Sequence, residues 1–468
     1  MRGIISAGGY LPYRRLDRAS ISEFLGSGGG RGQRTVASYD EDTTTMGVEA
    51  GRVALANAPD GLEPDALWFA TVAPAYLDKT NATTIHAALR LTSDIALDFN
   101  GAARSAVGAL KTALAGNGSV MLVTSDLRTG QPGGADEANG GDGAAALIVG
   151  SDADGPVIAE YLGGASTTEE FIERWRVPGE DSSGVWEERF GEIQYAPLVE
   201  SAWKRGLDAA GVGPEQVNKL IVSGLHARAV RNLTPRLGAA KEALVSDRAA
   251  TVGNTGAAQA ALILTDALEQ AEPGEIIALV SLADGADVLV FRTTDAIASW
   301  SPQRTVAKQD GWGALLGYGK MLAWRGTLSV EGPRRPPPGR ISAAVSARTR
   351  EYKYAFVGSK DRSTGALHLP PARISREGDA QDDMDAAPMS EVQGTIATFT
   401  IDRIAYSPSP PIVFAVVDFD GGGRLPVELC DLDADTLKIG DRVELTFRRL
   451  FTAEGIHNYF WKARPVRD

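Results

Sequence analysis

Three short stretches carry the residues best suited to chemistry. In SGLHARAV, His226 stands at the end of a buried-looking strand. In VGNTGAAQAAL, Asn254 stands in a glycine-flanked turn that opens a helix. In ALDFNGAARSAVGALKTALA, residues 96–115, a strand runs through Asn100 and Gly101 into an Ala-rich helix, and Ala103 sits at the turn. A helix start offers unpaired N–H groups and the positive end of a dipole. His226 and Asn254 beside it could hydrogen-bond the oxygen of a thioester or ketone and stabilise an enolate. Each also has a structural reading: a histidine closing a strand, and an asparagine capping a helix. Ala103 has no lone pair, so this elbow cannot form an acyl-enzyme.

The elements that must position these groups repeat. ALWFATVAP (66–74) and NKLIVSGLH (218–226) each read as a buried strand with a polar tip. Each is followed by a Gly/Ala-rich helix, over 101–116 and 253–270. Each helix leads to further strands, SVMLVTSD and GDGAAALIVG in one case, EIIALVSLADG and ADVLVFR in the other. Two α/β halves, 1–152 and 153–297, therefore follow one another, and a site is expected where their strand ends converge.

After 297 the texture changes. Residues 298–340 read as a connector with an amphipathic helix at 311–325 and a stiff tether, EGPRRPPPG. Residues 341–390 include an acidic loop, REGDAQDDMDAAP. Over 391–468, short alternating strands with Gly, Pro and Asp turns predict a small β-barrel. The 468 residues carry a net charge of -13, which argues against nucleic acid and anionic membrane as partners. No apolar run approaches the ~18 residues of a membrane helix. One cysteine, Cys430, and four histidines leave no Cys-based zinc site, and a reducing, cytoplasmic setting is expected.

The N-terminal 297 residues resemble the thiolase superfamily, nearest to 3-hydroxy-3-methylglutaryl-CoA synthases and more distantly to ketoacyl-carrier-protein synthase III. SYDEDTTTMGVEAGRVAL, VTSDLRTGQPGGADEANGGDGAAALIVG, LHARAV, GNTGAAQ and VSLADGADVLVF carry the likeness in the family's order. The resemblance implies a duplicated five-layer αβαβα fold, a homodimer, and an acyl-CoA substrate entering by a tunnel, with no further cofactor. His226 and Asn254 match the family's oxyanion-binding pair. Its nucleophilic cysteine falls on Ala103, and its acid/base glutamate at about Val72. Arg104 and Arg128 are assigned to the CoA moiety.

Residues from about 311 resemble the OB-fold proteins that accompany thiolase-like enzymes. The Cys-x-x-Cys pairs of their zinc ribbon are replaced here by YAFVG and ARISREG, so no zinc is expected. Some thiolase-like steroid side-chain aldolases with an OB-fold partner work without the cysteine and use tyrosine. Tyr76 and Tyr195 lie in segments that could supply one. The first expectation is aldol or retro-aldol chemistry on a CoA thioester. The alternatives are a synthase-like acyltransferase whose cysteine is replaced by Ala103, and a non-catalytic acyl-CoA-binding scaffold.

Overall fold

The computed structural model describes residues 1–467. The chain forms two compact units. The first holds Met1–Ala37, Asp42–Thr83 and Thr92–Met321; the second holds Ser38–Glu41, Thr84–Leu91 and the chain from Leu322 onward.

The first unit is built on nine strands: β1 (Arg2–Tyr10), β2 (Ala66–Thr71), β3 (Ile95–Asn100), β4 (Val120–Asp126), β5 (Gly143–Ser151), β6 (Ala159–Thr168), β7 (Lys219–Gly224), β8 (Ile276–Leu282) and β9 (Gly285–Thr293). They hydrogen-bond in the order β7-β8-β9-β6-β1-β5-β4-β2-β3. From the central β6–β1 contact, each half repeats one order: β1-β5-β4-β2 on one side and β6-β9-β8-β7 on the other. The duplication read along the chain is thus a duplication in space. Only β3 lacks a counterpart.

Helices α1 (Thr43–Ala56), α2 (Ala103–Ala115), α3 (Glu188–Ala210) and α4 (Gln259–Leu268) complete the layers. Leu110 and Leu114 of α2 and Leu262 and Ile263 of α4 share one apolar cluster with Leu122 and Leu147 of the first half and Ile277 and Leu279 of the second. Those two helices are the middle layer. Ala278 and Val280 turn the other way, into a cluster with Trp203 and Leu207 of α3. Strands buried on both faces read as continuous apolar runs, as EIIALVSL does. α1 packs on β1, β5 and β4, and α3 on β6 and β9, as the outer layers. The result is the expected αβαβα arrangement. No helix among the described residues is long and apolar enough to cross a membrane.

The connector departs from expectation. In place of one helix over 311–325 there are a helix Val306–Gly311, a two-residue strand Ala314–Leu315 paired with Arg14–Arg15, and a helix Tyr318–Trp324. Gly311, Gly313 and Gly317 punctuate the segment. The first unit reaches Met321 because Val306, Leu316, Tyr318 and Met321 are buried in it. The boundary therefore falls within 298–340, not at its ends.

In the second unit a five-stranded closed barrel runs β13 (Gly394–Asp402), β14 (Ile412–Phe419), β15 (Arg424–Leu429), β17 (Ile456–Pro465), β16 (Arg442–Ala453) in spatial order. Before it lies a three-stranded sheet of β10 (Val357–Asp361), β11 (Leu367–His368) and β12 (Met384–Pro388). The acidic stretch expected as a loop ends as β12, and three of its carboxylates are paired: Asp383 and Asp385 with Arg362, and Asp382 with Arg373.

Candidate functional site

At the C-terminal tip of β3 the chain passes Gly101, whose φ of 116° is open to glycine, into an extended Ala102. α2 then starts at Ala103. Ala102 offers no side-chain cap to the first N–H groups of α2. The elbow borders a cavity of about 420 Å³ within the first unit. Val72, just past the end of β2, and Ala103 both line it, so the two positions read as emptied of reactive groups border one cavity. Tyr195, from the second turn of α3, and Arg128 line it as well. Arg128 is 8% exposed and faces Asp126 at 3.7 Å and Asp136 at 3.9 Å.

The remaining assigned residues lie elsewhere. His226 is not on the cavity wall; it caps the helix Ala227–Leu233. Its Nδ1 accepts from the Ala229 N–H at 3.0 Å, and its Nε2 lies 2.9 Å from the Glu188 carbonyl. With Nδ1 accepting, Nε2 carries the proton and donates it to that carbonyl. Asn254 donates from Nδ2 to the Gly224 carbonyl and accepts at Oδ1 from the Gly256 N–H, both at 2.9 Å. His226 thus fills a structural role as a helix cap, and Asn254 closes the turn just before the cap residue Thr255, with the polar atoms of both bonded to main chain.

Arg104, expected at the CoA moiety, ties β9 and β6 to the elbow. It bonds Asp287 at 2.9 Å and the carbonyls of Asp284 and Thr167 at 2.6 Å. Tyr76 also lies off the wall. Its backbone is clasped by Asn81, which donates to its carbonyl and accepts from its N–H.

Sequence reasoning missed the segment FIERWRVPGED. It carries a short hairpin, Arg174–Trp175 against Gly184–Val185, and brings Glu173, Arg174 and Arg176 to the cavity. Arg174 forks onto Asp136, and Arg176 donates to the Val72 carbonyl. The alternation of charges with apolar residues was the available signal. Asp284 holds the β8–β9 turn at φ 46°, and it too lines the cavity. Burial pushes the Tyr195 phenol well above its ordinary value, and the Glu173 and Asp284 carboxylates push it the same way, so Tyr195 stays protonated at neutral pH. Burial also raises Asp284, against the pull of Arg104.

Comparison with known proteins adds two matches by sequence family. Residues 207–290 match the 3-oxoacyl-[acyl-carrier-protein] synthase III C-terminal family, and residues 386–448 the ChsH2 C-terminal OB-fold domain. The chain is 29% identical over 309 residues to the hydroxymethylglutaryl-CoA synthase of Pyrococcus horikoshii, covering 63% of this chain and 87% of that protein. The same enzyme of Aeropyrum pernix is 29% identical over 317 residues, covering 64% and 87%. Among solved structures, the HMG synthase of the curacin biosynthetic pathway superposes with a TM-score of 0.60 at 18% identity, over 70% of this chain and 88% of that one. Synthase III of Aquifex aeolicus gives 0.53 at 21% identity, over 62% and 100%. The fold is that of thiolase-like condensing enzymes, joined in one chain to a ChsH2-type OB-fold.

Proposed function

We propose that this chain, a thiolase-like domain fused to an OB-fold, is an enzyme that breaks or forms a carbon–carbon bond on a CoA thioester by aldol chemistry, without an acyl-enzyme. The observation that carries the reading is the cavity lined by Ala103, Val72 and Tyr195 together. Where a condensing enzyme needs a nucleophile there is a methyl group, yet proton-handling groups surround it. The relatives are hydroxymethylglutaryl-CoA synthases, and one structural neighbour is an HMG-CoA synthase complexed with CoA, which supports an acyl-CoA ligand.

In the cleaving direction the substrate is a 3-hydroxyacyl-CoA. A base takes the hydroxyl proton, and that electron pair closes a carbonyl. The Cα–Cβ bond breaks, its pair moves onto the thioester oxygen as an enolate, and a proton returns to Cα. The products are a carbonyl compound and a shortened acyl-CoA, so no cofactor or metal is consumed. The uncapped N–H groups at the start of α2 are suited to the enolate oxygen. Tyr195, protonated at neutral pH, can donate to an oxygen in the cavity. Arg128 and Arg176 give the wall a positive side for the anionic part of a CoA ester. For His226 and Asn254 to reach the thioester oxygen, as the resemblance implies, their N–H groups would have to leave the carbonyls of Glu188 and Gly224.

The test is turnover of a panel of 3-hydroxyacyl-CoA esters, read as release of shorter acyl-CoA. Tyr195→Phe and His226→Ala are each expected to lower turnover by about 100-fold. Unchanged turnover in His226→Ala would leave that residue as a helix cap. Binding of every ester with cleavage of none favours the scaffold reading instead.

A further inference from the structure

Glu173 is 5% exposed, and its Oε1 is buried without a hydrogen-bond partner among the described residues. A buried carboxylate oxygen that accepts nothing is costly and calls for a reason. Glu173 lines the same cavity as Ala103, Tyr195 and Asp284. Its own carbonyl is fixed by the Trp186 N–H at 2.7 Å, so its backbone is held beside the hairpin. Gly191, in the first turn of α3, lets the neighbours close in. A Cβ there would stand 2.7 Å from the Glu173 Cγ and 2.6 Å from the His226 Cδ2. No larger residue would allow that approach.

We propose that Glu173 is the carboxyl group that moves the protons in this site, taking the substrate's hydroxyl proton as the Cα–Cβ bond breaks and returning a proton to the α-carbon. The proposal rests on the aldol reading above. The substrate hydroxyl supplies the donor that Oε1 lacks, and the glutamate missing at Val72 is replaced from a different segment of the chain. The proton that leaves oxygen is the one returned to carbon, so the reaction is balanced without a co-reactant.

The charges facing Glu173 suit that duty. Burial raises its pKa, and Asp284 and Asp136 add to this, while Arg174, and His226 when it is protonated, oppose it. Arg174 is itself tied to Asp136, which limits its hold on Glu173. A carboxyl raised in this way is a stronger base once ionised and holds the proton it takes until the α-carbon receives it.

The experiment follows deuterium uptake into the methyl group of acetyl-CoA in D2O, a half-reaction that needs only the α-carbon proton transfer. It is run beside cleavage of the 3-hydroxyacyl-CoA panel. Wild type is expected to exchange, with a rate that rises with pH along one carboxyl titration. Glu173→Gln is expected to exchange about 100-fold slower, with a flat pH profile and acetyl-CoA affinity within about 2-fold. Glu173→Asp is expected to recover part of the rate. If wild type cleaves and Glu173→Gln exchanges as fast as wild type, the role of Glu173 is overturned and the aldol reading stands. A variant whose slower exchange is matched by lost affinity overturns it equally, as a binding effect. If wild type neither cleaves nor exchanges, the aldol reading fails and this proposal with it.

Discussion

At the scale of single residues, Ala103 decides between the two enzymatic readings. A cysteine placed there by Ala103→Cys would sit at a helix start, which favours a thiolate. It would still lack a partner base, because both ring nitrogens of His226 are bonded to main chain. Incubated with acetyl-CoA, the variant is expected to keep its own mass. A gain equal to one acetyl group would revive the acyltransferase reading. Part of this site was legible in the sequence. Val72, Ala103, Arg128 and Tyr195 do line one cavity; the elbow at Ala103 can be placed from an apolar strand and glycines, the other three from the family resemblance. What His226, Asn254 and Arg104 bond to was not legible, because their partners include main-chain carbonyls, which every residue has. Glu173 escaped for another reason: the alternation over Arg174–Val177 is too short to stand out, and only folding brings the segment to the cavity that Ala103 lines.

At the scale of elements, the β-barrel is held in part by buried charge. Within the second unit, Asp40 lies 2.9 Å from the Lys462 ammonium and 3.6 Å from the Arg448 guanidinium. Arg448 also pairs with Glu41 at 2.7 Å and Asp431 at 2.6 Å, and Lys462 with Glu428. Asp40, Arg448 and Lys462 are fully buried, so each depends on its partners. Burial alone would raise the Asp40 carboxyl, but Lys462 and Arg448 overcome it and hold it at about 2. A depressed carboxyl stabilises the fold above its unfolded pKa of about 4, and this is lost as pH falls through about 2. Lys462→Met is expected to destabilise by about 3–5 kcal/mol near pH 7, measured by urea unfolding, because it strands Asp40 and Glu428. The difference from wild type should shrink between about pH 4 and pH 2, as Asp40 becomes protonated in both. A difference independent of pH would mean that packing, not charge, sets the cost. Alternating strands made the barrel itself predictable, whereas this cluster joins residues 38–41 to the far end of the chain and no local pattern announces it. The connector shows the converse: apolar residues over 311–325 fit a helical period, but its glycines and the pairing of Ala314–Leu315 with Arg14–Arg15 prevailed.

At the scale of the whole molecule, the nine-stranded sheet ends at β3, which among the described residues pairs only with β2. Ile95 and Leu97 on that strand are each 47% exposed. The strand, IALDFN, carries no proline or lysine of the kind that blunts a free edge. A second copy related by a two-fold axis could pair β3 with β3 and cover those side chains on both protomers at once. The same strand leads directly into Gly101 and the start of α2, so pairing would also steady the cavity wall at Ala103. The protein is therefore expected to sediment as a dimer at micromolar concentration. Ile95→Lys with Leu97→Lys should yield a folded monomer, because two lysines on the edge repel a second copy and charge the face it would cover. Turnover of that monomer should fall further than its loss of thermal stability accounts for, since the elbow would lose its support. A wild-type monomer would remove the dimer, and a double variant that still sediments as a dimer would move the interface away from β3.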